Sequence, residues 1–182
     1  GSVAGWETSN VTEMDLTFSD AEAFNRSLDS WDTGNVTTTA AMFERAYAFD
    51  RSLDAWDTSN VTDMSEMFRG ATSFDGSLGS WDTSSVTDMY ELFRNAETFD
   101  RPLDSWDTSY VTDMGAMFRE AVSFQQDISG WCVAQISTRP LFFDSGAGFG
   151  AQTALQPDWG APCGAPPLSD QLDAPVDVDD DG

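Results

Sequence analysis

Residues 56–64 read WDTSNVTDM, and near copies of the phrase begin at residues 31, 81 and 106. Trp6, Trp31, Trp56, Trp81, Trp106 and Trp131 recur every 25 residues without an insertion, as do Phe18, Phe43, Phe68, Phe93, Phe118 and Phe143. Between 56–80 and 81–105, 16 of 25 positions are identical, which makes the repeat the first fact about the fold.

Each unit keeps eight apolar sites, in the third copy Trp56, Val61, Met64, Met67, Phe68, Ala71, Phe74 and Leu78. Eight side chains cannot enclose a core alone, but stacked copies bury each other's faces. The spacing of Met64, Met67, Phe68 and Ala71 predicts one face of a short helix. Asp63 with Glu66, and Asp88 with Glu91, fit a capping box, and Gly70 and Asn95 read as helix stops. The stretches 53–56 and 60–64 read as short strands. The expected fold is an α/β repeat solenoid of about six coils, each with one or two short parallel strands and one short helix, plus a C-terminal cap.

The organisation follows from where the period holds. Residues 1–5 are tag and lead-in, 6–149 the repeats, 150–167 a cap with Trp159 as its plug, and 168–182 an acidic linker. The last residues, DVDDDG, place Asp177, Asp179 and Asp181 at the spacing that opens a calcium loop. Cys132 and Cys163 are the only cysteines and flank the decay of the repeat. A disulfide between them is expected and favours an oxidising, extracellular setting; two free buried thiols are the alternative.

The chain has 182 residues, no His and a net charge of -24. Such a charge repels nucleic acid and anionic lipid, and no apolar run is long enough to cross a bilayer, so neither nucleic-acid binding nor direct membrane insertion is expected. With no His and with every basic residue an Arg, His-dependent triads and Schiff bases are excluded. The acids are spread evenly over all copies, whereas an active site would break the repeat at one place, so the chain is read as no enzyme.

The unit FDxxLDxWDTSNVTDMSxMFxxA, which runs from residue 6 to about 149, closely resembles the BspA-like surface-protein repeat, a divergent leucine-rich-repeat relative also found in Mycoplasma-type lipoproteins. The resemblance implies a secreted or cell-surface module associated with adhesion and protein binding. It carries over no catalytic residue and names no ligand. The sixth copy, WCVAQISTRPLFF, departs from the pattern.

Stacking turns polar positions into rows. Asp32, Asp57, Asp82 and Asp107 form one, read either as turn caps or as calcium ligands along with Asp177, Asp179 and Asp181; no cofactor is required, and calcium is the one candidate. Thr33, Thr58, Thr83 and Thr108 form a second row, and Thr37, Thr62, Thr87 and Thr112 a third. Both threonine rows, with Tyr90, Tyr110 and Asn95, are the candidate ligand contacts. The reading is an extracellular recognition or adhesion module, monomeric as a fragment of a larger protein, that binds protein or glycan on a cell surface through a repetitive face. A passive spacer in a long adhesin and an ice-binding threonine array are the alternatives.

Overall fold

The computed structural model describes residue 3 and residues 5–163. The copies lie directly over one another. Trp31, Trp56, Trp81, Trp106 and Trp131 stack with ring centroids 6.2–6.4 Å apart and planes within 5°. Phe43, Phe68 and Phe93 form a second column at 5.7 Å, and Phe49, Phe74 and Phe99 a third at the same spacing. Within each of the first five coils the two phenylalanines also stack, at 4.0 Å for Phe68 and Phe74, whereas Phe143 and Phe149 of the sixth meet edge-on. Aromatic pairs of this kind contribute about 0.5–1.5 kcal/mol each beyond the area they bury. The indole N–H of each column tryptophan from Trp31 to Trp131 donates to the carbonyl 28 residues earlier, as Trp81 does to Leu53 at 3.0 Å.

The expected helix and strands are absent. Among the described residues there is no α-helix and no strand, and the one helical element is the 3₁₀ turn Thr153–Leu155. The α/β assignment is therefore corrected to a column of coils built from tight turns. Successive coils touch through isolated parallel bridges, Glu13 to Thr38 to Asp63 to Asp88 to Asp113. A bridge cannot lengthen into a strand, because turns close on both sides of it: Val61 donates to Thr58, and Met67 to Met64.

The same hydrogen bonds explain why no helix forms. In a helix the Phe68 N–H would bond the Met64 carbonyl. Here Met64, Glu66, Phe68 and Gly70 donate instead to Asp88, Tyr90, Leu92 and Arg94 of the next coil, at 2.7–3.0 Å. The intervening residues Met67, Arg69 and Ala71 close turns three residues back, and Ser65 donates to the Asp63 carboxylate at 2.8 Å. Every N–H from 64 to 71 is thus paired, half of them along the stack. Glu66 (φ 57°) and Gly70 (φ 70°) are left-handed, as the third residue of a type II turn must be. Met64, Met67, Phe68 and Ala71 are all fully buried, so the apolar spacing was real but belongs to a run of turns. Gly70 and Asn95 end no helix, and Glu66 and Glu91 cap none: they pair with Arg69 and Arg94.

The sixth coil slips by one residue. Phe118 donates to Phe143, 25 positions on, whereas Phe93 donates to Met117, 24 positions on. Pro140, which has no N–H, sits at the slip, and the left-handed residues move to Phe142 and Gly146. Above this coil, residues 150–163 lie across the column. Leu155 accepts the Ile128 N–H, Trp159 meets Phe143 edge-on at 4.8 Å, and Cys132 and Cys163 form a disulfide.

Candidate recognition face

The stretch from Trp to the bridge residue alternates between core and solvent. In the third coil Trp56, Thr58 and Val61 are buried, while Asp57, Asn60 and Thr62 are exposed. Repetition sets the exposed residues in three adjoining rows: Asp32, Asp57, Asp82 and Asp107; Asn10, Asn35, Asn60, Ser85 and Tyr110; and Thr12, Thr37, Thr62, Thr87 and Thr112.

The donors of this face are largely used inside the column. Thr62 Oγ1 donates to the Thr37 carbonyl at 3.2 Å, and Thr37, Thr87 and Thr112 repeat the bond at 3.1 Å. The Asn35 and Asn60 amides donate to Ser9 and Gly34 at 2.7 Å, and Ser85 to Ser59 at 2.8 Å. What remains turned outward is mostly acceptor oxygen, threonine methyl and carboxylate. Tyr110 replaces the asparagine of its row and is 64 % exposed.

Each aspartate of the row caps its own turn, accepting from the backbone N–H two residues on: Gly34 to Asp32, Ser59 to Asp57, Ser84 to Asp82 and Ser109 to Asp107, at 2.9–3.2 Å. The Ser59 and Ser84 hydroxyls add bonds of 2.7 and 2.6 Å. These hydroxyl bonds, with the backbone N–H second, hold Asp57 and Asp82 below the usual carboxylate range. Among the described residues, no group of three or more His, Cys, Asp or Glu is placed to hold a metal ion. Asp177, Asp179 and Asp181 lie outside the described residues.

The other sites called from sequence fall elsewhere. Thr33, Thr58, Thr83 and Thr108 are buried, and each hydroxyl donates to a carbonyl of the next coil, at 3.0 Å from Thr33 to Asp57 and 2.9 Å from Thr58 to Asp82. That row therefore offers a ligand nothing. Tyr90 and Asn95 lie on the turn-built edge, away from Tyr110; Asn95 is left-handed (φ 58°) and holds a turn.

Sequence reasoning missed the charge chain on that second edge. Arg69 reaches Glu44, Glu66 and Glu91 at 3.4, 2.5 and 3.2 Å, Arg94 reaches Glu91 at 2.6 Å, and Arg45 reaches Asp20 at 2.6 Å. Glu44 and Glu91 are buried, so Arg69 links the coils on either side of its own under cover, whereas Arg45 and Asp20 form an exposed pair. The available signal was Arg at 69, 94 and 119, one coil apart, with Glu at 66 and 91. Beside it, burial pushes Asp88 above the usual carboxylate range, and the charges of Asp63, Asp113 and Glu66 add to that.

No curated protein and no solved structure matches the chain. The family model described as Mycoplasma protein of unknown function, DUF285, matches residues 1–59 and 48–155, and the chain belongs to that family.

Proposed function

We propose that the protein is an extracellular, cell-surface recognition module that binds a protein or glycan through the face formed by Asp32, Asp57, Asp82 and Asp107, Thr37, Thr62, Thr87 and Thr112, and Tyr110. The observation that carries this reading is a face repeated in register whose donors bond inward and whose Asp57 and Asp82 carboxylates are held below the usual carboxylate range. Such a surface complements a partner rich in hydrogen-bond donors, cationic side chains above all. Tyr110 supplies a large, rigid contact of the kind enriched at binding hot spots. The disulfide supports an oxidising compartment.

The test uses an arginine-rich peptide and a glycan array as probes. Replacing Asp57, Asp82 and Asp107 together by Asn keeps an acceptor for each turn while removing three charges. Peptide binding should fall at least tenfold and lose most of its salt dependence. Tyr110→Ala should weaken either class of ligand without altering stability. Binding by neither probe, or binding indifferent to both changes, would leave the passive spacer as the better reading.

A further inference from the structure

We propose that the first coil is a docking surface for the sixth coil of a second copy of this chain, and that the disulfide-pinned segment 150–163 is the stop that keeps the copies apart. Between coils, alternate N–H groups of one coil donate to alternate carbonyls of the next: Leu16, Phe18 and Asp20 to Ala40, Met42 and Glu44, and so on upward. The column is therefore polar, with acceptors left over at one end and donors at the other.

Among the described residues, the carbonyls of Asp15, Thr17 and Ser19 accept no hydrogen bond, and the N–H groups of Phe142, Asp144 and Gly146 donate none. In the register of the internal junctions, Phe142 of one copy meets Asp15 of the other, Asp144 meets Thr17, and Gly146 meets Ser19. The side chains tell the same story. Trp6 stacks on Trp31 at 5.6 Å and is 52 % exposed, whereas the other five tryptophans of the column, Trp31 to Trp131, are 3–5 % exposed. Leu16 is 60 % exposed, while Glu91 and Ala116, in the same row of interior coils, are buried. Among the described residues, the first coil thus presents an uncovered junction surface.

The donor end is obstructed. Setting Asp15–Ser19 of a second copy over 142–146 would place its residues 5–12 where 150–163 now lie. Three contacts hold that segment there: the Leu155 carbonyl on the Ile128 N–H, the Gln156 amide on the Asp144 carboxylate at 2.6 Å, and Trp159 on Phe143. The Cys132–Cys163 bond ties it down. A cavity of about 540 Å³ lined by Arg139, Phe142, Asp144 and Gly146 marks the part of the donor end it leaves uncovered. Because the two ends differ, the contact is heterologous and would propagate as a filament rather than close as a dimer. The net charge of -24 opposes it, so screening should favour it.

The experiment compares 182-residue chains by sedimentation velocity in about 0.5 M NaCl, where exposed charges more than about 4–5 Å apart are largely screened. The oxidised protein should be monomeric, and the variant C132S/C163S/W159A should form oligomers that lengthen with concentration. In that variant, Leu16→Glu or Phe142→Glu should each restore the monomer, and mixing the two should give a one-to-one dimer and nothing longer, since each keeps one working end. Near-ultraviolet circular dichroism from the tryptophan column reports folding, and the reduced wild-type chain, expected to lengthen likewise, serves if the variant loses it. The proposal is overturned by oligomers of the oxidised protein, by a folded uncapped chain that stays monomeric, by association that survives either Glu substitution, or by a mixture without a dimer.

Discussion

The carboxylates of Asp82 and Asp88 belong to one coil and sit in opposite surroundings. Hydrogen bonds from Ser84 hold Asp82 low, whereas burial and the neighbouring carboxylates push Asp88 high. A carboxyl lowered on folding contributes stability that is complete above its unfolded value, about 3.9, and is lost as the pH falls through its folded value. Asp82→Ala should therefore cost about 1 kcal/mol at neutral pH, and the loss should shrink below about pH 4. A carboxyl raised on folding costs stability while ionised, and that cost vanishes once it is protonated. Asp88→Asn keeps the acceptor that Tyr90 N–H uses at 2.8 Å and removes the charge from a row of like charges. It should stabilise by a few tenths to about 1 kcal/mol at pH 7 and by nothing near pH 3. Urea unfolding from pH 3 to 8 checks both, and a destabilised Asp88→Asn at neutral pH contradicts the assignment. The sequence shows both aspartates in rows, but only burial and the partner two residues on separate the two cases. The threonines are alike: the buried row at 33, 58, 83 and 108 and the exposed row at 37, 62, 87 and 112 are equally regular, and a turn between them decides which faces in.

At the scale of the element, a short amphipathic helix and a run of turns leave the same trace in sequence, because both bury positions 64, 67, 68 and 71. What separates them is the destination of the backbone N–H groups, which depends on a neighbouring coil and not on local propensity. Among the described residues, ten other than glycine take positive φ, repeated in register at Leu16, Ala41, Glu66, Glu91 and Ala116 and again at Asp20, Arg45, Asn95 and Glu120. Such a conformation costs a residue with a Cβ roughly 1–2 kcal/mol, and the bonds to the next coil offset it. The Gly70 and Asn95 signals were legible as left-handed positions; the alanine and glutamate positions carried none. Ala41→Gly discriminates between the two backbones: in a helix it would cost about 1 kcal/mol, whereas at φ 52° it should be neutral or stabilising by up to about 1 kcal/mol. Gly70→Ala should cost about 1 kcal/mol and Gly70→Asn less, since Asn95 occupies the equivalent place in the next coil. Thermal unfolding midpoints of the three variants decide it.

For the whole molecule, stability is carried by junctions between neighbours, so local opening should depend on distance from an end and on how that end is closed. The first coil has its tryptophan half exposed and carbonyls without partners among the described residues; the sixth is covered and pinned. The 25-residue period made the stacking direction readable from sequence, and the cysteine spacing made the pin readable, but the polarity of the junctions was not, because it arises from the alternating left-handed turns. Hydrogen exchange should show that polarity as an asymmetry. The N–H groups of Met14, Leu16, Phe18 and Asp20, which bond the second coil, should exchange fastest among junction amides, and those of Met64, Phe68 and Met89 slowest. Closing a loop of 31 residues is worth about 3–4 kcal/mol in the chain-entropy account, so reduction should release the cap end in particular. Protection of Ile128, Ala116, Phe118 and Glu120 should then drop by an order of magnitude or more while the first coil stays unchanged. A uniform loss across all coils would mean that the column opens as one cooperative unit, and the description by independent junctions would fail.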